Sequence, residues 1–134
     1  MKIRIMTLDK PNKNNRIYPT EVFKAAIDKY TSAIVGRCAV GVIENYKDSE
    51  HWESVDLSKC SHLVEQLEII DGAVMADIRV LDTVEGEKLA KMINEGVVTF
   101  RPRGMGQIDM VDEHYVVSDY EIVAIDAVLT TNAA

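Results

Sequence analysis

The stretch from His114 to Leu129 constrains the fold more than any other part of the chain. Tyr115, Val116, Val117, Tyr120, Ile122, Val123, Ile125 and Val128 are β-branched or aromatic residues, which suit a packed, pleated strand better than a helix. The run reads as one long apolar strand, broken by Asp119 and Asp126 and preceded by a shorter strand at 107–111. A carboxylate on the inward face of such a strand needs a partner. Asp126 against Arg101 or Arg103 is one such pairing.

The rest of the chain alternates irregularly between the two periodicities. Residues 2–8 read as a strand, and Pro11 to Asn15 as a polar turn-rich loop. From Pro19-Thr20 a helix is expected, with Thr20 as cap and Val22, Phe23, Ala26, Ile27 and Tyr30 on the core face. Cys38 to Ile43 reads as a short buried strand, and Glu44 to Ser58, which holds Trp52, as an exposed loop. Leu63–Ile70 and Ala73–Val80 form a predicted hairpin around Asp71-Gly72. A second helix is expected from Val84 to Asn94, capped by Thr83 and ended by Gly96. Val97 to Phe100 is a predicted strand, and Pro102 is expected to interrupt its ladder. Six or seven strands with two main helices and no strict alternation predict an α+β fold with a mostly antiparallel, barrel-like sheet.

With 134 residues, 47% of them hydrophobic, the chain has the size of one compact domain, expected over 1–129 with a flexible polar tail at 130–134. A formal charge of −7 disfavours general nucleic-acid binding, which needs a net basic face, and makes a protein partner easier to accommodate. No apolar stretch is long enough for a signal peptide or a membrane span, so a soluble intracellular protein is expected. Two cysteines do not make a disulfide framework.

Candidate chemistry is sparse. Cys60-x-His62 places a thiol and an imidazole on one strand face, yet about 6–7 Å apart at the backbone. A packed cysteine and a hydrogen-bonded core histidine explain the pair better. Cys38, His51, Cys60 and His62 could supply zinc ligands but lack any diagnostic spacing, and no metal or cofactor is expected. Arg101 and Arg103, with Lys91 nearby, form a local basic patch suited to a carboxylate or phosphate. Gly104 and Gly106 read as backbone freedom at a strand bend, since no lysine-serine follows them.

One family fits these segments in order. Asn12-Lys13-Asn14-Asn15-Arg16-Ile17-Tyr18-Pro19, followed by a helix, resembles the N-x-N-G-R-x-Y-P opening of the phage prohead core proteases. Val40 to Tyr46 stands where that family shows G-E-L-D-H-P, and Leu57 to His62 is similar to its L-x-x-V-S-H segment. Leu81 to Gly86 resembles L-x-T-P-x-G. Arg101-Pro102-Arg103-Gly104-Met105-Gly106 occupies the place of S-S-R-G-x-G, and Tyr120 to Val128 that of F-x-L-V-T-I-D-x-V.

The resemblance implies a serine protease fold related to the herpesvirus assemblins, acting on scaffold and capsid proteins inside the prohead. It also implies that the catalytic histidine falls on Asn45 and the serine on Arg101 or Pro102. A carboxamide is no base near neutral pH, and neither arginine nor proline carries a hydroxyl. The expectation is therefore the fold without catalysis, with His62, Arg103, Gly104 and Asp126 as residual site residues and Arg101, Arg103 and Gly104 facing a partner. That partner would be a capsid or scaffold protein in the prohead or host cytoplasm, with homodimerisation a further expected association. Two alternatives stand beside it: an inhibitor of a host or phage protein, and a protease relocated to Thr99, Ser61 or Cys60 with His51 or His62 as base.

Overall fold

Two tight turns set the register of the longest hairpins in the computed structural model, which describes residues 1–44 and 54–129. Asp71 and Gly72 have φ of 50° and 76°, and Asp112 and Glu113 have φ of 48° and 69°. Positive φ at both central residues is the two-residue turn whose twist matches its flanking strands. The first turn joins β4 (Cys60–Ile70) to β5 (Ala73–Val80), and the second joins β6 (Val98–Val111) to β7 (His114–Leu129).

Three further strands, β1 (Lys2–Thr7), β2 (Arg16–Ile17) and β3 (Val40–Glu44), complete a seven-stranded sheet ordered β1-β5-β4-β3-β7-β2, with β6 on β7. β6 runs antiparallel to β7 from Val98↔Leu129 to Val111↔His114. β7 also takes β2 in parallel near its start, at Tyr115 and Val116, and β3 in parallel near its end, at Ala127 and Val128. The expected α+β class, mostly antiparallel with two helices, is what the chain adopts. The hydrogen-bonded path is open, because β1 pairs only with β5 and β6 only with β7 among the described residues.

Helices α1 (Thr20–Val35) and α2 (Val84–Glu95) pack on this sheet. The predicted apolar stripe of α1 is buried at Phe23, Ala26, Ile27 and Tyr30. Its cap differs from expectation: Thr20 is the first helical residue, and Asp9, beyond the end of β1, accepts from Thr20 N (2.8 Å) and Thr20 Oγ1 (2.5 Å). Those two bonds hold the Asp9 carboxyl below its ordinary pKa. α2 begins and ends as read, with Thr83 accepting from Gly86 N and Gly96 in the left-handed conformation at φ 71°.

Pro102 does not interrupt β6. It pairs with Ile125 inside a continuous strand, because β6 is an edge strand and a missing donor is tolerated on an edge. Register shifts between Arg103 and Gly104 and between Met105 and Gln107 absorb the irregularity instead. β4 also starts earlier than its apolar pattern suggests, at Cys60 after a short 3-10 turn over Leu57–Lys59. The expected tail at 130–134 and most of the expected loop, Trp52 included, lie outside the described residues.

Candidate functional site

The β6–β7 register sets Arg101 directly opposite Asp126, yet the carboxylate bonds to the diagonal neighbour. Arg103 Nε donates to Asp126 Oδ2 at 2.6 Å, and Val42 N of β3 donates to Oδ1 at 3.3 Å. Of the two pairings that the sequence left open, the buried carboxylate thus has the Arg103 one. Asp126 is 1% exposed, and a charge so deeply buried persists only when paired and hydrogen-bonded. The same guanidinium reaches Ser54 O through Nη1 at 2.6 Å, so one side chain ties β6, β7 and the segment before the 3-10 turn together.

Above this pair lies a cavity of about 340 Å³, walled by residues 101–106 and Ile108 of β6, by Val117, Tyr120 and Asp126 of β7, and by Arg16, Tyr18 and Glu44. Gly104 lets β6 lie close against Tyr120 and the Glu121 carbonyl. A Cβ there would fall 2.5 Å from the Tyr120 ring and 2.6 Å from its hydroxyl. Tyr120 packs edge-on to Tyr18 and stacks on Phe23, at centroid distances of 5.4 and 5.6 Å. Burial first, and then Tyr18, push the Tyr120 phenol well above its ordinary pKa, against the opposing pull of Arg101 and Arg16. The hydroxyl is therefore protonated at neutral pH and unsuited to attack a carbonyl. No serine, threonine, cysteine or histidine is among the described residues that line this cavity.

The imidazole sits elsewhere. A register shift leaves Gly41 opposite His62 and Val42 opposite Cys60, so Ser61 is an extra, bulged residue. The bulge brings Ser61 Oγ to 2.8 Å from His62 Nδ1, while His62 Nε2 lies 2.6 Å from Ile125 O. A carbonyl only accepts, so Nε2 carries the proton and Nδ1 accepts from the serine hydroxyl. Ser61 and His62 are both fully buried, and the ring is covered edge-on by Phe100 at 5.2 Å. Burial lowers the pKa of His62, partly offset by the Ile125 carbonyl and by Asp126. The pair bridges β3, β4 and β7 and has no surface for a substrate.

The remaining candidates are dispersed. Cys60 does not engage His62; its thiol lies 3.8 Å from Asp56 O, and burial together with Asp56 raises its pKa, the opposite of an activated nucleophile. Thr99 faces a different cavity, whose described walls hold no histidine. Among the described residues no cluster of three or more histidines, cysteines and carboxylates could hold a metal ion. Asn45 and His51 lie outside the described residues.

Sequence reasoning missed Tyr18, Glu44 and Tyr120 as walls, and it missed the role of Gly41. A glycine between two valines in a strand does signal the close approach of another group. Here a Cβ would fall 2.7 Å from His62 Cε1 and closer still to Nε2 and to Ile125 O.

A model of the prohead core protein serine protease family matches residues 3–134. The solved structure of the bacteriophage T4 capsid assembly protease, gp21, is similar to this chain with a TM-score of 0.84 and 21% identity, covering 96% of this chain and 79% of that one. No curated protein matches the chain. Among the described residues no helix is long and apolar enough to cross a membrane.

Proposed function

We propose, on the premise that the chain belongs to the prohead core protein serine protease family, that it keeps the family's fold without proteolysis and binds a capsid or scaffold segment during head assembly. One observation carries this reading. The cavity beside Arg101-Pro102-Arg103-Gly104, where the family motif carries its serine, offers no hydroxyl nucleophile other than the phenols of Tyr18 and Tyr120 and no imidazole among its described walls. Acyl transfer by the serine mechanism needs a nucleophile and a base in hydrogen-bond reach of one another. With both gone, only residual acceleration of about 10³–10⁴ over water remains from binding and the oxyanion hole.

In this reading Asn45 stands for the lost base and Pro102 or Arg101 for the lost nucleophile. Asp126 is held by Arg103 and Val42 and serves structure. The cavity receives the bound segment inside the prohead, with Arg101 and Gly104 among its walls.

The test treats the purified chain with a fluorophosphonate that modifies activated serines, and measures co-sedimentation of the chain with proheads. The expected result is an unmodified intact mass together with sedimentation that Arg101→Glu weakens. Stoichiometric phosphonylation would overturn the loss of catalysis. Absence from proheads with capture of a host protein would replace the head role by inhibition.

A further inference from the structure

A second cavity, of about 560 Å³, opens between β1 and β6. Its described walls include Arg4, Lys10, Lys13 and Arg101 and no aspartate or glutamate. This is unexpected in a chain with 22 acidic and 15 basic residues, where cations usually find carboxylates. Arg4, Lys10 and Lys13 have no ion-pair partner among the described residues, whereas Lys2 pairs with Glu68 and Lys88 with Glu85. Asp9, close in sequence, is committed to Thr20.

The walls between the charges are of two kinds. Ile5, Met6 and Phe100 supply an apolar lining. The strands β1 and β6 supply edges, since each pairs with one neighbour only among the described residues. A sheet edge carries outward main-chain donors and acceptors that an extended segment can pair with.

We propose that this seam seats an extended acidic segment of a partner protein, its carboxylates on Arg4, Lys10 and Lys13 and its alternate apolar side chains on Ile5, Met6 and Phe100. The period of two in a strand delivers acid and apolar residues to opposite sides, as the seam's two linings require. A nucleic acid fits the charge of the seam but not the acidic remainder of the chain, which repels a continuous phosphate backbone. The seam shares only Tyr18, Arg101 and Pro102 with the cavity above Asp126, and the inference does not rest on the loss of proteolysis.

Fluorescence anisotropy of a labelled peptide of alternating glutamate and valine, titrated with the full chain at low ionic strength, tests it. Saturable binding is expected, with none for the glutamine-valine analogue. Arg4→Gln, Lys10→Gln and Lys13→Gln combined weaken it about tenfold, from three exposed ion pairs. Lys24→Gln, Lys29→Gln and Lys59→Gln, an equal charge change at exposed sites outside the seam, leave it unchanged. Equal loss in both triple variants, absence of saturable binding, or tighter binding of oligothymidylate would each overturn the proposal.

Discussion

Replacing Gly41 by alanine puts a methyl group where the structure has none to spare. The added carbon would lie 2.7 Å from His62 Cε1 and nearer to Nε2 and Ile125 O, where ordinary contact is 3.4 Å or more. Either the ring or the β7 backbone has to move, and both movements break the bond from Nε2 to Ile125 O. Overpacking costs about 1–3 kcal/mol, and leaving buried polar groups unpaired costs about 1–3 kcal/mol more. The expected loss is about 4 kcal/mol, a large share of the 5–15 kcal/mol typical of a whole domain. Urea unfolding followed by circular dichroism measures it. With a slope of about 2 kcal/mol/M the midpoint falls by about 2 M. In a His62→Ala background the ring clash is gone, so Gly41→Ala costs at least about 1 kcal/mol less there. A loss under about 1 kcal/mol in the parent chain, or full additivity with His62→Ala, refutes the reasoning.

The buried ion pair and the buried titrating groups give three further expectations. Arg103→Ala leaves the buried Asp126 side chain without its ion-pair partner, and is expected to cost about 3–5 kcal/mol, while adding Asp126→Ala recovers part of that loss in the same unfolding assay. His62 has a lowered pKa in the fold, so on acidification the unfolded chain takes up a proton that the native chain refuses; stability falls as the pH drops below about 6.5, and His62→Gln flattens that limb. Tyr30 is pushed up to about 12, first by burial and then by Asp126. The unfolded chain therefore loses that proton first, and stability falls as the pH rises from about 10 to about 12. Tyrosinate absorbance alongside the unfolding curve checks this, and Tyr30→Phe removes that component.

The parts of the fold that were legible in the sequence are those governed by neighbours along the chain. Asp71-Gly72, Thr83 and Gly96 act within a few residues of themselves, and each does what its chemistry predicts. The departures involve partners distant in sequence or extra residues in a ladder. The cap of α1 comes from Asp9 because β1 and the helix meet in space, which local capping rules cannot see. Pro102 stays in its strand because β6 happens to be an edge. The bulge at Ser61 reassigns the neighbour of His62 from Cys60 to Ser61, since one inserted residue changes which side chains share a face. In the site, the need of Asp126 for an arginine was readable from burial and charge alone. The choice of Arg103 over Arg101 required the diagonal geometry, and the aromatic wall required the fold.

Asn15 links the opening motif to this architecture. It stands at the motif's glycine position with φ of 60°, a conformation that asparagine tolerates. Its amide Nδ2 donates to Glu113 O at 2.6 Å, and its side-chain oxygen lies 2.6 Å from His114 Nδ1. The motif therefore braces the β6–β7 turn through Asn15 and walls the cavity above Asp126 through Arg16 and Tyr18.

Intact-mass spectrometry of the chain incubated with phage scaffold and capsid proteins tests whether the prohead-protease fold is here without proteolysis. Every scaffold and capsid mass, and that of the chain itself, is expected to stay unchanged. Cleavage products that disappear with His62→Ala or Cys60→Ala would contradict that and relocate the active site to β4.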